Sequence, residues 1–123
     1  MNPDETRLLE QVGISVETGL MYCQNDAEFY RTVLMEYARS ASEKRVKLME
    51  YLDGKDLKNY GILVHALKST SKAIGAETFS EMALSLEKAA NDGDGTKVFK
   101  EHEAFMNQFD RITDTIKLLY PLS

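Results

Sequence analysis

From Val98 to Leu119 the inward positions of this chain alternate between steps of four and three: Val98, His102, Phe105, Phe109, Ile112, Ile116, Leu119. That spacing keeps one face of a long helix turned to the same neighbours throughout its length. It is the seam of a near-antiparallel helix bundle. Nowhere in the chain do β-branched residues alternate with polar ones over six or more positions, so no competing strand pattern exists. The spacing predicts a last helix over about Lys97–Tyr120, ended by Pro121.

The upstream segments read the same way. Pro3, Asp4, Glu5 and Gly13 bound a short helix over Asp4–Val12, and Ser15 caps a second from Val16 to about Cys23. Asp26 caps a long helix reaching about Leu52, whose buried stripe is Tyr30, Leu34, Tyr37, Ala41, Leu48 and Leu52, with one gap of seven. Asp53-Gly54 ends it. Asp56 caps a helix to about Ile74 with an inner stripe of Leu57, Tyr60, Val64, Leu67, Ser71 and Ile74, and Gly75 stops it. A further helix, about Glu77–Ala90, buries Phe79, Met82, Leu86 and Ala89 or Ala90 before the turn Asn91–Gly95. Four long amphipathic helices joined by short links predict an all-α fold. The expected arrangement is an antiparallel up-down-up-down four-helix bundle, with the short N-terminal helices packed on one end. At 123 residues the chain is one domain, 1–123.

Charge and cysteine content narrow the function classes. A net charge of −5 argues against nucleic acid as partner. The single cysteine, Cys23, makes no internal disulfide and is expected to pack near a helix end. No apolar run approaches a membrane span, and MNPDETR does not resemble a secretory signal. A cytoplasmic location is the expectation, whether the chain stands alone or is one module of a longer protein. With every apolar stripe used internally, a monomer is expected.

One residue resists explanation as packing. At about 100° per residue, Lys58, Gly61, Lys68, Ser69 and Lys72 fall within about 60° of His65, far from the apolar stripe. His65 is therefore expected on an exposed flank, with small residues Gly61 and Ser69 one turn either side. Lys68 and Lys72 set positive charge beside it, an arrangement suited to a phosphoryl group on the imidazole. The plain alternative is an exposed histidine on a solvated, lysine-rich face. His102, on the last seam, reads instead as a half-buried histidine satisfied by a neighbour. Other chemistries lack their residues. Ile62 and Phe99 stand where Glu-x-x-His di-iron pairs need glutamate. No Cys/His cluster suggests zinc, no nucleotide-binding glycine loop occurs, and Asn91–Gly95 lacks a calcium loop's spaced carboxylates. No metal or cofactor is expected.

His65-Ala66-Leu67-Lys68-Ser69, continuing to Ala73-Ile74-Gly75-Ala76, resembles the phosphorylation-site motif of histidine-containing phosphotransfer (HPt) domains, the relay modules of multistep two-component signalling. Gly13–Leu20 and Asp26–Tyr30 resemble the family's N-terminal segment. The resemblance implies that His65 is the phosphoryl acceptor and donor, and that Lys68 neutralises the phosphoryl group. Glu87, after Leu86, matches a Glu or Gln that accepts a hydrogen bond from the imidazole Nδ1, leaving Nε2 as nucleophile. Ser69 departs from the usual glycine. Gly61, Ile62, Ser69 and Lys72, with the short N-terminal helices, would contribute to docking.

The implied partners are response-regulator receiver domains, with a hybrid sensor kinase as a further one. Mg²⁺ would be supplied by the receiver. The implied role is a phosphocarrier without kinase activity of its own. The rivals are a helical module that binds receivers without carrying phosphate, and an unrelated scaffold for partner helices.

Overall fold

In a computed structural model describing residues 1–121, the chain is all-α. It forms helices α1 (Pro3–Gln11), α2 (Val16–Tyr22), α3 (Ala27–Arg39), α4 (Ala41–Asp53), α5 (Leu57–Ala73), α6 (Glu77–Asn91) and α7 (Gly95–Leu119), with no strand among the described residues. None of these helices is long and apolar enough to cross a membrane.

Five helices start where a side chain can take up the first free amides. Asn2, Ser15, Asp26, Asp56 and Asp94 each accept from the backbone N–H three residues on. The first helix thus begins earlier than Asp4, because Asn2 and Glu5 form a reciprocal capping box. Glu5 does more than suit the helix end. It is buried, and takes two bonds from the Arg31 guanidinium at 2.7 and 2.9 Å and one from the Tyr120 hydroxyl, tying α1 to α3 and to the end of α7.

The helix expected to run unbroken from Asp26 to Leu52 is divided at Ser40. Ser40 keeps helical torsions (φ −84°, ψ −5°), but its hydroxyl donates to the Tyr37 carbonyl at 3.2 Å, the acceptor an unbroken helix would offer to the Ala41 amide. Such back-bonding by serine bends or interrupts helices. The seven-residue gap in the stripe, between Ala41 and Leu48, faces α7 through an ion pair instead: Arg45 grips both Asp110 oxygens at 2.9 and 3.2 Å.

Helix α5 packs against α6 and α4, α6 against α7, and α7 against α3 and α1. Phe79 of α6 stacks on Phe105 and Phe109 of α7 (centroids 4.5 and 5.7 Å apart), and Tyr37 of α3 meets Phe109 edge-on at 5.9 Å. Tyr37 also shares a 2.7 Å hydrogen bond with the buried Ser71 hydroxyl of α5.

The turn after α5 is fixed from two sides. Gly75 sits at φ +91°, and the amides of Gly75 and Ala76 return to the carbonyls of Lys72 and Ser71 at 3.0 and 2.9 Å, the helix stop for which glycine is preferred. Its own carbonyl accepts from the Ser15 amide at 2.8 Å, and a Cβ at Gly75 would lie 2.1 Å from the Ser15 oxygen. The reversal lays α6 back antiparallel along α5, which decides what can stand beside His65.

Candidate functional site

Small residues line the contact between α5 and α6. Ser80, Ala83 and Ala90 turn toward α5 at helical spacing and are buried. Gly61 receives the far end of α6, where an added Cβ would be 3.3 Å from the Ala90 Cβ and 3.2 Å from Asn91 Oδ1. Between these contacts the Ser80 hydroxyl donates to the Lys68 carbonyl at 2.8 Å, fixing the turn of α5 that carries Lys68. Glu87 shares the helical face of Ser80, Ala83 and Ala90. It is the one long polar side chain on that face, so close packing aims it at the α5 flank.

There it meets both residues singled out on α5. Glu87 Oε2 accepts a hydrogen bond from His65 Nδ1, and Oε1 accepts one from Lys68 Nζ at 2.7 Å. The three side chains differ sharply in exposure: 59% for His65, 26% for Lys68 and 14% for Glu87. The carboxylate is thus largely enclosed while the imidazole stands in solvent. The ammonium of Lys68, and secondarily the hydrogen bond from His65, hold the Glu87 carboxyl below the usual carboxylate range against an opposing desolvation. An ionised carboxylate only accepts, so Nδ1 carries the proton. In the neutral ring Nε2 then presents its lone pair outward.

The other expected positions separate. Ile62, one turn before His65, is exposed by 60% and offers an apolar contact on the same flank. Ser69 is exposed, but its hydroxyl turns back toward the His65 carbonyl at 3.4 Å and away from the ring. Lys72 is exposed and, with Lys68, Ser69, Glu77, Ser80, Glu81 and Leu84, lines a groove of about 460 Å³ between α5 and α6. Gly61 is a correction: it is buried beneath α6 and offers no surface for docking. Its smallness admits α6, not a partner. Helix α2 meets α5 at the Gly75 end, about 15 Å along the axis from His65.

His102 is half-buried, and its Nδ1 is 2.8 Å from the Tyr60 hydroxyl. Burial pushes the His102 pKa down and that of Tyr60 up, so the phenol donates and the neutral imidazole accepts. Cys23 is buried at the C-terminal end of α2. Among the described residues no three His, Cys, Asp or Glu side chains converge as a metal site.

Three contributors escaped the sequence reading. Ser80 fixes the Lys68 turn, and Glu77 and Glu81 give the groove an acidic wall. The Ser80-Ala83-Ala90 stripe was the signal for a close helix partner, and hence for the direction of Glu87. No family model matches the chain, and no curated protein or solved structure is significantly similar to it.

Proposed function

We propose that the chain is a phosphocarrier of the HPt kind. The observation that carries this reading is an exposed imidazole whose Nδ1–H is bound by an enclosed, ionised carboxylate, with a lysine ammonium on the same carboxylate. An oriented ring with a free Nε2 is what nucleophilic attack on phosphorus requires. A receiver domain phosphorylated on aspartate docks over the α5 flank, with Ile62 as an apolar contact and the Ser69–Lys72 groove beside it. Nε2 attacks phosphorus in line, the N–P bond forms, and the P–O bond breaks with its electron pair leaving on the aspartate carboxylate. A second receiver reverses the step. The receiver brings Mg²⁺ and most of the charge stabilisation, and this chain brings the oriented nucleophile and Lys68.

In this reading α3–α4, α5, α6 and α7 are the four legs of an up-down-up-down bundle, with α1 and α2 at one end. The chain works as a cytoplasmic monomer, a carrier and not a kinase. The pairwise packing of α5 on α6, α6 on α7 and α7 on α3 supports that arrangement.

The test is transfer of labelled phosphoryl from a panel of phosphorylated receivers. Acid-labile, base-stable label on the wild type and none on His65→Gln is the expected result. Label transfer that survives His65→Gln would sink the proposal. Receiver binding without transfer would leave the chain a docking module.

A further inference from the structure

Glu87 serves two groups at once. In the resting site its negative charge is matched by Lys68, while His65 Nδ1 shares the same carboxylate. Phosphorylation unsettles that balance. When Nε2 takes the phosphoryl group and Nδ1 keeps its proton, the ring becomes an imidazolium and the phosphoryl oxygens carry two negative charges. The site then holds a second anion and a second cation within reach of Glu87 and Lys68. A carboxylate already hydrogen-bonded to Nδ1–H is placed to become the counter-charge of the imidazolium. The ammonium one turn along the same helix can turn toward the phosphoryl oxygens at the expense of its bond to Glu87 Oε1.

We propose that Lys68 changes partner when His65 is loaded, leaving Glu87 for the phosphoryl oxygens while the new imidazolium takes its place on the carboxylate. The inference rests on the phosphocarrier reading. It adds that Glu87, besides orienting the ring, restrains Lys68 until the phosphoryl group arrives. The Glu87 carboxylate keeps a cationic partner in either state, which matters because Glu87 is largely enclosed. Glu87 thus acts as a positioning residue for both His65 and Lys68.

Phosphoramidate tests this without any receiver: Nε2 takes its phosphoryl group, the donor's N–P bond breaks and ammonia leaves. Loading is followed by ³¹P NMR on the full chain and its variants. Glu87→Gln keeps an oxygen for Nδ1–H and lifts the restraint but gives up the imidazolium's counter-charge, so the deciding measurement is the penalty of Lys68→Ala in each background. Lys68→Ala slows wild type about threefold but slows the Glu87→Gln background about tenfold, because there the lysine acts on phosphate without first leaving a carboxylate.

If Lys68 serves only to hold Glu87, Lys68→Ala has no effect once Glu87 is glutamine, and the proposal is overturned. Equal penalties in the two backgrounds overturn it as well. The wild type gives a measurement that needs no variant: the Lys68 side-chain ¹³Cε and ¹⁵Nζ resonances shift on loading, and unchanged resonances sink the exchange. A wild type that does not load, or loading that persists in His65→Gln, brings down the phosphocarrier reading itself. Normal loading with no sign of partner exchange brings down this inference alone.

Discussion

At the scale of single residues, Ser69 tests how much of the site depends on what surrounds the ring. Its hydroxyl points back to the His65 carbonyl and touches neither imidazole nor Lys68. Ser69→Gly is therefore expected to leave phosphoryl loading within about twofold and to lower helix stability by about 0.5 kcal/mol, the propensity difference between the two residues. A larger loss of loading, measured with phosphoramidate, would show that the hydroxyl reaches the phosphoryl group. Lys68→Ala should leave the far-UV circular dichroism nearly unchanged but lower the melting temperature, since the largely enclosed Glu87 carboxylate then keeps only the His65 hydrogen bond. The exposure of His65 was legible from helical phase alone. Gly61 was misread for an instructive reason. A helical wheel separates apolar from polar faces, but it cannot say which polar flank a second helix will cover. Only the matching stripe of small residues on α6 carried that information.

Among the elements, the α5–α6 hairpin holds the site, and Gly75 holds the hairpin. A side chain at Gly75 meets two penalties together: a positive φ of 91° and a contact of 2.1 Å with the Ser15 carbonyl oxygen. The first costs about 1–2 kcal/mol and the second, against backbone that cannot swing aside, about 1–3 kcal/mol. Gly75→Ala should therefore lower the unfolding free energy by about 3 kcal/mol in a urea titration. A loss near 0.5 kcal/mol would mean that the Ser15 turn yields easily. The caps Ser15, Asp26 and Asp56 and the Gly75 stop could be read from the sequence because caps are local chemistry. The break at Ser40 could not. Its torsions stay helical, and the only local mark is a hydroxyl bond to the Tyr37 carbonyl, in a stripe whose inward residues continue on both sides. The direction of Glu87 was likewise out of reach of its own helix. It depends on the register between α5 and α6, set by Ser80 on the Lys68 carbonyl and Gly61 against Ala90.

Across the whole molecule, acid should loosen the fold at two separate points. His102 is neutral in the fold and its pKa is lowered from the model-compound 6.5 by burial. The unfolded chain therefore takes up a proton first, and stability begins to fall as pH drops through about 6.5. Glu5 acts lower. Arg31, Tyr120 and the Asn2 amide favour its charged form, and its pKa falls from 4.5 to about 2. A carboxylate depressed in the fold adds stability that is complete above the unfolded value and lost as pH falls from 4.5 towards 2. That shift corresponds to roughly 3 kcal/mol at neutral pH. It is concentrated where α1, α3 and the end of α7 meet, well away from the His65–Glu87 pair. Glu5→Gln should remove about that much stability at pH 7, and its melting temperature should run flatter than wild type between pH 4.5 and 2.5. Since the α5–α6 hairpin is secured by other contacts, the same variant should still load from phosphoramidate at the wild-type rate at pH 7. A variant that keeps wild-type stability would show that Arg31 and Tyr120 are satisfied equally well by solvent. One that loses loading together with stability would show that α1 and the hairpin unfold as one unit. The expected separation of the two readouts follows from the contacts: the network around Glu5 joins the chain's ends, whereas the residues around His65 are all supplied by two consecutive helices and the turn between them.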